Sequence, residues 1–247
     1  MNILSSYKFQ VKSHLKPIVI FFSIIAVLDI ISVAMSFDSV EINISGQEIG
    51  VFIFSFVMGI SIFSENFHML IQNGISRKSM YIGRLAAVLT VSAICSVLQL
   101  AVSRLFNLVL ECIGNSPSTS FREILYKDYF AGTGYITGLF TDFLLTFSLI
   151  LALTSVGYFI GTLMYRLPKY GKYLFWGSLW VVCRIVVPAL EYLFFDGAIW
   201  NALFNFVLFV TGIGSGNPFV LPISCGVVFA VFSAVTWFIL CRLPVKK

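Results

Sequence analysis

Phe219–Leu240 reads FVLPISCGVVFAVFSAVTWFIL, 22 consecutive residues without one charged side chain. As a helix, a run of this length covers about 33 Å, the thickness of a bilayer's ~30 Å hydrocarbon core. Working outward from it, five more apolar runs stand out: Pro17–Ser36, Ile49–Ser64, Met80–Leu110, Leu139–Met164 and Tyr173–Leu193. Composition points the same way. The chain is 59% hydrophobic and 11% charged, where a soluble domain carries about 25% charge. A soluble fold of 247 residues would have no means of hiding so much apolar surface, so lipid is the solvent for most of it. The expectation is an all-α polytopic membrane protein with six transmembrane helices, forming a single transmembrane domain over residues 1–247.

Charge orders the spans across the membrane. Twelve of the sixteen basic residues (Lys8, Lys12, Lys16, Arg77, Lys78, Arg84, Arg166, Lys169, Lys172, Arg242, Lys246 and Lys247) fall on one side. The loops of the other side hold Arg122 and Lys127 beside Asp38, Glu41, Glu48, Glu111, Glu123, Asp128 and Asp196. This is the positive-inside pattern, which puts both termini in the cytoplasm. The net charge of +5 is therefore a topology signal. Dispersed over four short segments, these residues form no basic face for nucleic acid. Lys8, Lys12, His14 and Lys16 precede a full-length apolar run, so the start reads as an uncleaved first span.

Three segments are not read as spans. Ala198–Val210 is apolar but about 13 residues long, and Gly-rich Thr211–Asn217 follows it. A run that short suits a re-entrant outer element between helices 5 and 6. If it crossed, Arg242, Lys246 and Lys247 would be forced outside. Asn2–Leu15 mixes Ile3, Leu4, Tyr7, Phe9 and Val11 with Lys8, Lys12 and His14, the pattern of an amphipathic helix on the inner leaflet or of an ordinary charged tail. Phe121–Phe130, after the turn-forming Asn115–Ser120, reads as a short outer surface helix with a connecting role.

Several chemistries lack their residues. No G-x-x-x-x-G-K-[ST] stretch exists to cradle a nucleotide. Five scattered cysteines (Cys95, Cys112, Cys183, Cys225 and Cys241) form no CxxC pair. His14 and His68 both fall at the cytoplasmic edge. Ser215, in Thr211-Gly212-Ile213-Gly214-Ser215-Gly216, lacks both the G-x-S-x-G frame and a base at its depth. The expectation is a non-catalytic chain without metal or bound cofactor. The spans also lack the acidic strings of a proton-coupled carrier and the ring motif of a selectivity filter.

The informative polar stretch is Phe63–Leu85, FSENFHMLIQNGISRKSMYIGRL. It ends one span, breaks at the turn signal Asn73-Gly74, and restarts where Ser76 can cap the next helix. A plain loop with basic headgroup anchors would account for it. It also resembles the corresponding part of the type-2 ATP-binding-cassette transporter permeases. Phe63-Ser64-Glu65-Asn66 stands where the family carries a Phe-x-x-Glu element. Ser76-Arg77-Lys78 stands at its basic cluster, and Gly83-Arg84 at the Gly-Lys or Gly-Arg that opens the third span. The motif covers about 23 residues, while the architecture covers the whole chain. Gly74-Ile75 departs from the proline usual near that position.

The resemblance implies a permease domain: the membrane half of an ATP-driven ABC exporter working by alternating access. A separate ABC ATPase subunit would carry ATP and Mg, and a second permease copy or a homologous permease would complete the pathway. It also implies a short coupling helix after the second span. Glu65, Asn66, His68, Asn73, Gly74, Ser76 and Arg77 are then the residues of ATPase coupling. Arg77 and Lys78 equally suit anchoring to lipid phosphate. Small size, short outer loops and Lys-flanked ends suit a bacterial cytoplasmic membrane. Hydrophobic or amphipathic peptides, drugs and lipid-linked molecules are the cargo classes. A membrane-embedded capture, immunity or scaffold subunit without transport of its own is the alternative.

Charge within the spans is the remaining signal: Asp29, Arg104, Arg184 and Glu191. Asp29 lies 12 residues past Pro17 and Arg184 lies 12 past Lys172. Both are therefore expected about 18 Å from the inner boundary, where each is costly alone. They are candidates for a pair, within one chain or between two. Arg184 near Glu191 or lining a polar pathway, and Asp29 neutral and hydrogen-bonded, are the competing readings.

Overall fold

The computed structural model describes residues 3–36, 47–114, 120–190 and 198–242, and every regular element among them is helical. Helices α1 (Ile3–Ser36), α2 (Gln47–Gln72) and α3 (Arg77–Ile113) come first. Short α4 (Phe121–Leu125) and α5 (Lys127–Gly132) precede α6 (Tyr135–Arg166). The fifth long run is α7 (Lys169–Val181), a π turn (Val182–Val186) and α8 (Val187–Leu190), after which come α9 (Ala198–Thr211) and α10 (Val220–Cys241). Among the described residues six helical runs are long and apolar enough to cross a membrane. They match the six apolar runs read from the sequence.

Helix α6 is the hub, packing on α2, α3 and α10, while α1 lies along α3 and α2. In lipid there is no hydrophobic force between helices, so close van der Waals packing must hold them. Small residues permit it at the α2–α6 contact. A Cβ on Gly161 would lie 2.7 Å from the Ile60 carbonyl, and one on Gly59 would lie 3.0 Å from the Tyr158 amide. Gly157 and Gly161 form a G-x-x-x-G pair that brings two backbones together. Sequence reading passed over this signal.

Both described ends of the chain lie at the same end of the bundle as the α2–α3 turn. Gln10 Nε2 donates to Met80 O at 3.1 Å, and Arg77 Nη1 donates to Cys241 O at 2.6 Å. Ten of the twelve clustered basic residues are described, and all ten belong to this end; Lys246 and Lys247 lie outside the described residues.

Four details differ from expectation or refine it. Residues 3–15 are not a separate element: α1 runs unbroken through Pro17 for 34 residues, about 51 Å. Its polar stripe faces inward, with Ser6, Gln10 and His14 buried while Ile3 and Leu4 are exposed. The segment read as one outer surface helix is two helices meeting at Tyr126, which is buried and donates its hydroxyl to Thr211 O. Tyr126 thereby ties the α4–α5 cap to the end of α9. Burial, reinforced by Cys225, pushes its phenol up to about 12, so it remains a proton donor at any physiological pH. The apolar stretch after the fifth span is α9, 14 residues or about 21 Å, too short to cross. It packs on α10 through a turn where Gly212 takes φ +72° and a Cβ would meet Val220 at 2.7 Å. The fifth run, finally, buries none of its described residues. Its π turn has a local cause. Pro188 has no N–H and its ring crowds the carbonyl four residues back, at Arg184, so the preceding turn widens and Val187 N–H bonds to Val182 O.

Candidate functional site

The polar stretch singled out in the sequence becomes a helical hairpin. Gly74 (φ +69°) ends α2 in a Schellman turn: Ile75 N–H donates to Leu70 O at 3.0 Å and Gly74 N–H to Ile71 O at 2.9 Å. Ser76 opens α3, its Oγ accepting from Ser79 N–H at 3.2 Å. Only residues 73–76 separate the two helices. No separate coupling helix follows the second span; the residues expected to form one are the last turns of α2 itself. Continuous apolar packing of Phe63, Phe67 and Leu70 extends the helix past Glu65.

The seven residues of the expected coupling site divide by environment. Asn66 is buried and accepts from Ser13 Oγ at 3.0 Å, binding α2 to α1. His68 Nε2 lies 3.2 Å from the Tyr165 hydroxyl on α6. Arg77 closes the end of α10, donating to Leu240 O at 3.3 Å and to Cys241 O. A basic residue at a helix C-terminus satisfies carbonyls that have no partner within the helix. Ser76 is the helix cap. Asn73 and Gly74 are exposed at the tip, with Asn73 Nδ2 donating back to Met69 O at 2.7 Å. Glu65 is on α2, and its side chain lies outside the described residues.

Behind the hairpin is a polar hub that the sequence did not single out. Arg84 is 7% exposed and its guanidinium lies over the Tyr158 ring. Around it, Gln10 bonds Ser6 Oγ at 3.0 Å, His14 is within its field, and Tyr81 OH donates to Ser233 O at 2.8 Å. Helix α6 meets the buried cation through Tyr158, while Gln10 ties α1 and Tyr81 ties α10 to the same stretch of α3. Gly83 lets α1 approach there: a Cβ would lie 2.9 Å from Ser6 Oγ. The available signal was the inward i, i+4, i+8 spacing of Ser6, Gln10 and His14.

Of the readings open for the intramembrane charges, a hydrogen-bonded Asp29 is the one seen within the chain. Asp29 accepts from Gln47 Nε2 rather than from Arg184. Arg184 sits exposed in the π turn, on a run that packs against neither α1 nor any other long helix. The pair is therefore not made within one chain. Glu191 lies outside the described residues. Arg104, half exposed, pairs instead with Asp142 Oδ2 at 3.4 Å, and Asp142 is 3% exposed. Asp142 was missed, although a lone acid in the charge-poor run Leu139–Met164, facing a lone arginine at the end of another, marks such a pair.

No family model, curated protein or solved structure matches this chain.

Proposed function

We propose that the chain is the membrane-spanning subunit of an ATP-driven exporter of the ABC type, coupled to a separate ATPase that holds ATP and Mg. The observation carrying this reading is the α2–α3 hairpin. Two helices of 26 and 37 residues are joined by a four-residue turn whose tip is exposed at the basic end of the bundle. The turn is braced on three sides: Asn66 to α1, Tyr165 to α6 and Arg77 to α10. A push on Asn73-Gly74 has no slack to absorb it and passes into helices that cross the bilayer. The positive-inside rule puts that end, with both termini, in the cytoplasm, in keeping with a bacterial cytoplasmic membrane. In this reading residues 3–15 lie at the inner headgroups and α9 enters the outer leaflet without crossing.

Two copies form the pathway. The fifth run supports this, since it buries none of its described residues and carries a cation at hydrocarbon depth. A hydrophobic or amphipathic cargo follows from the apolar walls.

A photo-crosslinking residue placed at Asn73 in native membranes is expected to capture a nucleotide-binding polypeptide, identified by mass spectrometry. The same residue at Lys127, at the opposite end of the bundle, is expected not to. Capture of that polypeptide from Lys127 but not from Asn73 would rule the hairpin out as the docking element.

A further inference from the structure

At the end of the bundle away from the hairpin, a cleft of about 600 Å³ opens between α3, the α4–α5 cap and the first turns of α6. Its charged groups are Arg104, Glu123 and Lys127, and Phe130 and Tyr135 supply an aromatic wall. The floor passes over Gly138, where even a Cβ would only reach ordinary contact with Phe130, at 3.9 Å.

The charges are not equivalent. Glu123 is occupied locally, accepting from Ser120 N–H at 3.2 Å at the start of α4. Arg104 is positioned rather than used up. One Nη contacts Asp142 at 3.4 Å, the guanidinium stands 5.8 Å from the Tyr135 ring centroid, and its side chain is still 40% exposed. Arginine has five N–H donors in a fixed fork, so donors remain for an oxyanion in the cleft. Lys127 is exposed and adds a mobile ammonium.

Depth narrows the ligand. Residues 85–103 of α3 carry no charge, and these 19 residues cover about 29 Å, the thickness of the hydrocarbon core. Arg84 and Arg104 bracket that stretch, so Arg104 lies where lipid phosphates lie. On α3, Ala101 and Val97 are exposed one and two turns inboard of Arg104, on its face of the helix, and lead from the cleft toward the hydrocarbon core.

We infer that the cleft binds the headgroup of a phosphate-bearing amphiphile, the phosphate between Arg104 and Lys127 and the acyl chains running inward past Ala101 and Val97. The site needs no nucleotide and no second subunit, so it stands or falls apart from the exporter reading.

The test is native mass spectrometry of the full detergent-purified chain titrated with dioleoyl phosphatidylglycerol, dioleoylglycerol and glycerol 3-phosphate. Phosphatidylglycerol is expected to be retained, with at least tenfold weaker retention in Lys127→Gln and in Arg104→Gln. Dioleoylglycerol, which lacks the phosphate, and glycerol 3-phosphate, which lacks the tails, are expected to be retained at least tenfold less. Arg104→Gln also removes the ion pair to Asp142. Lys127→Gln, on an exposed residue, therefore carries the result if the arginine variant is unstable, and Arg104→Lys should recover part of the binding. Equal retention of phosphatidylglycerol by wild type and Lys127→Gln overturns the site. Retention of glycerol 3-phosphate equal to that of the lipid overturns the amphiphile in favour of a free phosphate ester.

Discussion

Gly161→Leu is expected to leave little monodisperse protein after detergent extraction. The α2–α6 contact is backbone against backbone, with the Ile60 carbonyl 2.7 Å from where the new Cβ would stand and its Cα at 3.2 Å. Overpacking against flexible side chains costs about 1–3 kcal/mol. Here no side chain can rotate aside, so the two helices must separate, and α6 is also the helix on which α3 and α10 pack. Against a total stability of about 5–15 kcal/mol, that loss is a large fraction. Gly226→Leu is the control. It lies on α10 with nothing within 4 Å of its Cβ position and is expected to extract like wild type. Size-exclusion chromatography of the two variants decides the matter: equal monodisperse yields would mean that the α2–α6 contact does not hold the bundle together.

If two copies pair as proposed, reversing either intramembrane charge, Asp29→Arg or Arg184→Asp, is expected to dissociate them, and combining the two changes to restore the pair. Arg184 is exposed on a run that buries none of its described residues. A cation at that depth costs about 2.5–3.5 kcal/mol when alone, on the order of a hundredfold in an association constant. Asp29 lies 13 residues past Lys16, and Arg184 lies 12 past Lys172. The two therefore sit at similar depth, about 18–20 Å along their helices. Asp29 keeps its Gln47 bond within the chain, and its second oxygen is the acceptor this account assigns to the other copy's cation. Subunit counting by single-molecule photobleaching reads the outcome. Unaltered pairing in both Asp29→Ala and Arg184→Ala would show that the charges do not hold the copies together.

What was legible in the sequence follows the range of the forces involved. Phe219–Leu240 became Val220–Cys241 within a residue, because hydrocarbon thickness sets helix length whatever the tertiary packing. Asn73-Gly74 announced the turn, because only a residue tolerant of positive φ ends a helix that way. The relations between helices were harder to see. Residues 3–15 look amphipathic when read alone, but Gly83 on α3 offers a groove that takes Ser6, Gln10 and His14 inward. Arg77 reads as a headgroup anchor until the end of α10 is seen beside it. Asp29 and Arg184 matched in depth, and depth is all a single sequence provides; the neighbours of each helix depend on contacts 18 to 163 residues away. The G-x-x-x-G pair at Gly157 and Gly161 and the Arg104–Asp142 pair were both written in the chain as spacings and went unread.

If an ATPase on another polypeptide drives the basic end of this bundle, ATP hydrolysis by the complex purified from native membranes through a tag on this chain will report it directly. A nucleotide-binding polypeptide is expected to co-purify, with a turnover that rises in the presence of the membrane subunit and falls severalfold when Glu65 is replaced by alanine. A chain that purifies without any nucleotide-binding partner yet retains an amphipathic ligand tightly would contradict it, and would make this protein a capture subunit instead.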